Sequence, residues 1–138
     1  MLYNKLTDFD FHDSVINDIC CAENTVNLCL SNVFFQKAPI DIRINVQIEE
    51  NDFYIRYLEQ YPCFHKIKLK GREILLKELH TFFLKGYHLE ITELLFSTTS
   101  DLISFECTLF PYSRKRGVYK KIILNFNCKE QDFIISMK

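Results

Sequence analysis

Glycine is scarce in this chain: there are three in 138 residues, Gly71, Gly86 and Gly117, with no two close together. A phosphate cradle needs clustered glycines that let several backbone N–H groups approach an anion, so nucleotide-dependent chemistry is not expected. Long apolar runs are also missing, and nothing approaches the roughly 18 uninterrupted residues of a membrane-spanning helix. The opening MLYNKLTDFDFHDS places acidic residues where an export signal needs a positive segment followed by an apolar run. Together these absences predict a soluble cytoplasmic protein with no membrane attachment. Neither a CxxC pair, nor HExxH spacing, nor a DxDxDG loop occurs, which removes the common zinc and calcium frameworks and with them any expected cofactor. Excess charge of either sign is lacking too. Lys and Arg number 17 against 18 Asp and Glu, a formal charge of -1, so no global field draws in nucleic acid or anionic lipid.

What is present is core material. Hydrophobic residues make up 48%, and 13 Phe with 7 Tyr supply bulk despite the absence of Trp, which predicts one globular domain over residues 1–138. The six cysteines, Cys20, Cys21, Cys29, Cys63, Cys107 and Cys128, are scattered through apolar alternating runs and read as small buried hydrophobes. The adjacent Cys20 and Cys21 point to opposite faces of a strand and cannot ligate one metal together.

Periodicity sets the fold class. DIRINVQIE, residues 41–49, alternates Ile42, Ile44, Val46 and Ile48 with polar residues, the signature of a strand with one wet face. SVINDICC, a polar turn at Ala22, Glu23 and Asn24, and TVNLCLSNV precede it, so the N-terminal part reads as a three-stranded meander. FYIRYL and FHKIKL continue the pattern with a breaker at Tyr61 and Pro62. After Gly71 the period changes to that of a helix near residues 72–85, burying Leu75, Leu79, Phe82 and Phe83 and closed by Gly86. Four further β-rich runs follow, HLEITELLF, LISFECTLF, VYKKIILNFNC and DFIISM, with Ile122, Leu124 and Phe126 expected inside. The reading is α+β, mainly antiparallel: about eight or nine strands in a sheet or two-sheet sandwich with one helix on a face or end.

Candidate chemistry is concentrated in three places. His12, Asp13 and Ser14 hold the residue types of a hydrolase triad, but in an extended segment their side chains diverge, and no GxSxG elbow accompanies them. The competing reading is that His12 and Asp13 fasten the start of a strand by bonding to backbone groups. YSRKRGVYKK, residues 112–121, interleaves five cations, Arg114, Lys115, Arg116, Lys120 and Lys121, with Tyr112 and Tyr119, a pattern that can grip nucleic acid by phosphate pairing and stacking. Lys66, Lys68 and Lys70 would extend that patch if the two segments lie side by side. IEENDF carries Glu49, Glu50 and Asp52 in an expected hairpin turn, a surface for a basic protein partner. His80 and His88 are expected to be solvated or hydrogen-bonded.

One resemblance adds to this. Phe11, His12, Asp13, Ser14 and Ile16, leading into TVNLCL, form an aromatic-HDS start that resembles a group of small bacterial proteins, some similar to the immunity protein 50 type of polymorphic toxin systems. The resemblance implies a β-rich cytoplasmic binder that occupies a cognate toxin and performs no catalysis, and it gives the HDS residues no catalytic role. The expectation is therefore a non-enzymatic protein-binding module, an immunity protein using Glu49, Glu50 and Asp52 with Arg114, Lys115 and Arg116. The alternatives are a small hydrolase or metal-dependent enzyme built on His12 and Asp13, and nucleic-acid binding through residues 112–121.

Overall fold

The computed structural model describes residues 2–3, 5–63, 66–112 and 118–138. Among the described residues ten strands run in chain order: β1 (Leu2–Tyr3), β2 (Val15–Ala22), β3 (Thr25–Phe35), β4 (Ala38–Gln47), β5 (Phe53–Cys63), β6 (Lys66–Ile74), β7 (His88–Phe96), β8 (Ile103–Phe110), β9 (Tyr119–Phe126) and β10 (Phe133–Met137). One helix, α1 (Leu76–Leu84), lies between β6 and β7. All pairings are antiparallel, and the hydrogen-bonded order is β1-β10-β4-β3-β2-β7-β8-β9-β5-β6. The mainly antiparallel α+β class read from the sequence is what forms, with a single hydrogen-bonded sheet where a sheet or a sandwich was expected.

Alternation explains the long strands. In register, Leu28 faces Ile44 and Leu30 faces Ile42, and all four are fully buried, so each β3–β4 pair adds two side chains to the same face. Ile122, Leu124 and Phe126 of β9 are likewise fully buried. Each such side chain contributes about 1.5–3 kcal/mol against remaining in water.

The sheet is nearly divided in two. β2 and β7 pair only at Val15 with Glu90 and Ile16 with Leu89, extended by Asp13 N–H donating to Ile91 O (2.9 Å) and Ile91 N–H to Ser14 O (2.8 Å). Across this narrow seam the halves fold face to face. Phe133 of β10, in the first half, has its ring 5.3 Å from Phe126 and 6.4 Å from Phe105, both in the second half. The packing is thus that of a sandwich, although the hydrogen bonding is continuous.

Helix α1 is shorter than its sequence pattern. Arg72 and Glu73, good helix formers, instead pair with Tyr57 and Arg56 in the β5–β6 ladder, because a ladder of tertiary hydrogen bonds outweighs a few tenths of a kcal/mol of propensity. Leu75 consequently caps the helix in extended conformation and is 60% exposed, a correction to its expected burial, while Leu79 is fully buried. Phe82 and Phe83 are partly buried against the core. At the other end Gly86 takes φ +92, with Tyr87 N–H donating to Phe82 O and Gly86 N–H to Phe83 O, both 3.0 Å, the Schellman closure. Phe82 stacks 6.0 Å from Tyr57 of β5. His80 Nε2 lies 2.5 Å from Ile19 O of β2; a carbonyl only accepts, so Nε2 carries the proton. The helix therefore bonds to both halves.

Two expected turns are placed differently. Tyr61 and Pro62 lie inside β5 and break nothing: they stay paired with Lys68 and Ile67 of β6, in the part of β5 beyond Gln60 where β9 no longer pairs and β5 has a neighbour on one side only. The 49–52 segment is not a hairpin turn. It carries the chain from β4 to β5, which are not neighbours in the sheet.

Candidate functional site

Three chain segments that are remote in sequence meet at one end of the molecule. The β2–β3 turn reverses at Asn24, which takes φ 56, a left-handed conformation asparagine tolerates, and Asn24 O accepts from Ile48 N–H at 3.0 Å. This bond fastens the turn to the end of β4. The chain then makes a single 3-10 turn over Glu50–Asp52 and enters β5. The end of β6 and the start of α1 close the third side. Together they surround a cleft of about 740 Å³.

The cleft's lining has two parts. Val26, Ile48, Ile55 and Ile74, all buried, give it an apolar floor, and Glu23, Glu50 and Glu73 border it with exposed carboxylates. No lysine or arginine lines it among the described residues. The amino terminus of α1 brings about half a positive charge, well short of three carboxylates. Cys21 also borders the cleft, and burial first, then Cys20 and Glu50, push its thiol up from its ordinary range. That makes it a weak nucleophile. An apolar floor under an acidic rim suits a side chain with an apolar stem and a cationic head, a lysine or an arginine.

Across the 49–52 segment a second, more open recess of about 440 Å³ holds Glu49, Asp52, Asp101 and Asp132 with one cation, Lys129. Lys129 N–H donates to Asp132 Oδ2 at 2.9 Å, and Asp52 O accepts from Asn127 N–H at 2.8 Å. Beneath, burial and then Asp132, Asp52 and Asp101 push the Cys128 thiol up to about 12. The acidic segment singled out in the sequence thus divides between two neighbouring recesses, Glu50 into one and Glu49 with Asp52 into the other. Glu23 and Glu73, which complete the rim, carry in the sequence only the marks of a turn residue and a helix former. No local signal joins residues so far apart in sequence.

The HDS segment lies elsewhere, at the β2–β7 seam. Asp13 takes φ 66, so the backbone turns and brings its Oδ2 to 3.1 Å from His12 Nδ1, both side chains being mostly exposed. The expected divergence of these neighbours is corrected: it assumed an extended backbone. Ser14, by contrast, is fully buried, and its hydroxyl donates to Asn32 O at 3.1 Å. The serine faces the interior and the His12–Asp13 pair faces solvent, so the three do not converge. The turn itself is fastened by Asp10, whose Oδ1 accepts from His12 N–H at 3.0 Å.

The cysteines are also redistributed. Cys107 and Cys128 are buried as expected, whereas Cys20 and Cys21 are exposed and Cys29 is half-buried. Cys20 follows a bulge between Ile16 and Asp18, which shifts the alternation, and Cys21 sits at the strand end beside the cleft. Among the described residues no group of three His, Cys, Asp or Glu side chains is placed to hold a metal ion. No helix among them is long and apolar enough to cross a membrane.

The basic segment's Arg114, Lys115 and Arg116 lie outside the described residues, as does His65. Its flank and the lysine strand do not lie side by side: β5 separates β9 from β6, and Glu59 of β5 faces both Lys70 and Lys120. Compared with protein-family models, with curated proteins and with solved structures, the chain matches none.

Proposed function

We propose that this protein is a non-enzymatic binding module that takes a basic segment of a partner protein at its acidic end. The observation that carries the reading is the cleft of about 740 Å³ with an apolar floor and three carboxylates on its rim. Such a surface steers a cationic partner in by long-range attraction and then anchors it by burying the stem of a lysine or arginine. The aromatic-HDS resemblance supplies the kind of partner, a bacterial toxin whose active surface the module covers. On this reading the HDS residues maintain the seam between the half-sheets and leave binding to the other end.

The test is co-expression with the toxin encoded beside this gene, followed by co-purification and a growth assay. A complex and protection are expected, and both should be lost when Glu23→Lys and Glu50→Lys are combined. These side chains are exposed, so the doubly substituted chain should keep its unfolding midpoint. No complex and no protection with the unaltered chain would overturn the toxin partner. Full protection by the charge-reversed chain would overturn the cleft.

A further inference from the structure

The two edges of the sheet are unlike. One is the two-residue β1, too short to template another strand, whereas the other is the nine-residue β6. Only Ile74 of β6 is buried, and no further strand pairs with it among the described residues. Natural sheets blunt such an edge with short strands, bulges or lysine. Here the lysines come with an apolar complement: Lys66, Lys68 and Lys70 alternate with Ile67 and Leu69, which are 68% and 65% exposed. An edge protected only against pairing would not need two large apolar side chains in water on its opposite face.

We propose that β6 accepts an extended segment of a partner protein as an added strand, and that this segment alternates acidic with apolar residues. Backbone hydrogen bonds would supply affinity and the alternating side chains specificity. Residues opposite one another in an antiparallel pair share a face, so carboxylates would sit against the lysines and apolar side chains against Ile67 and Leu69. Charge argues against a second copy of this chain. Two-fold registers that keep the apolar faces together set lysine against lysine: pairing centred on Lys68 places Lys66 opposite Lys70. Like charges directly opposite destabilise a pair. On the inner side Lys68 lies 5.9 Å over the Tyr61 ring and Arg72 is paired with Glu78 at 2.9 Å, so the strand is tied to β5 and α1 on its own side of the sheet while its outer edge is left to a partner.

A fluorescent heptapeptide alternating glutamate and isoleucine tests this by anisotropy against the full chain. It should bind, and combining Lys66→Glu with Lys68→Glu should weaken it about tenfold. N-methylation of alternate peptide amides should abolish binding, because it removes the donors an added strand needs. Ile67→Thr with Leu69→Thr gives a second variant at exposed positions, expected to weaken binding without lowering the unfolding midpoint. Equal binding of a lysine-for-glutamate peptide, or indifference to N-methylation, would overturn the proposal. It would also fall if a single-stranded oligonucleotide displaced the peptide and bound more tightly, or if the chain dimerised through β6 and excluded it.

Discussion

Replacing Asp13 separates what the seam needs from its backbone and what it needs from its carboxylate. Asp13 sits at φ 66 while its N–H donates to Ile91 O at 2.9 Å, so the left-handed conformation must be kept if the halves are to stay joined there. For a residue with a Cβ that conformation costs roughly 1–2 kcal/mol, part of which aspartate recovers through local hydrogen bonding. A β-branched residue recovers none and crowds its own backbone, so Asp13→Val should lower stability by about 1–3 kcal/mol. Glycine removes the conformational cost but adds freedom to the unfolded chain worth about 0.5–1 kcal/mol. The two effects oppose, and Asp13→Gly should fall within about 0.5 kcal/mol of the parent. Urea unfolding followed by circular dichroism measures both, provided the denaturant slope is unchanged. If glycine cost as much as valine, the seam would depend on the carboxylate and its His12 partner, and the backbone account would be refuted.

Three further outcomes follow from the packing and the thiols. Phe126→Leu and Phe133→Leu should each lose about 1–2 kcal/mol, and the double variant should lose less than their sum by about 0.5–1.5 kcal/mol, the aromatic coupling across the half-sheets; strict additivity would show that the halves do not pack through these rings. Cys128 keeps its proton up to about 12 when folded, against 9.0 when exposed, so its contribution is complete below pH 9, where both states are protonated. As pH rises from 9 through 12 the unfolded chain ionises first and stability falls. Cys128→Ala should flatten that decline, and alkylation at neutral pH should reach the exposed Cys20 and Cys21 before Cys107 and Cys128.

Local patterns carried well into the structure where the chain's own period decided the outcome. The alternation from Ile42 to Ile48, the Gly86 helix stop and the order of the last four strands were all legible. Features that depend on distant pairing were not. Glu73 is a good helix former by composition, but the β5 ladder holds it in a strand opposite Arg56. The β3–β4 hairpin turns at Gln36 and Lys37, both at positive φ, 50 and 68, where asparagine or glycine would have announced the turn. The acidic rim draws Glu23, Glu50 and Glu73 from three separate segments, so only Glu50 was singled out. The hydroxyl of Ser14 is committed to Asn32 O across a bulge in β3, a partnership that the triplet HDS does not suggest.

Charge is sorted along the eleven-residue β5. Its first residues adjoin the carboxylates of Glu23 and Glu50, and its last ones pair with Lys66 and Lys68. At about 3.3 Å per residue the two poles lie some 30 Å apart, beyond the Debye length of about 8 Å at physiological ionic strength. Neither pole cancels the other for a partner at close range, even though the whole chain carries a formal charge of only -1. The molecule is therefore a permanent electric dipole, which aligns as it approaches a charged surface.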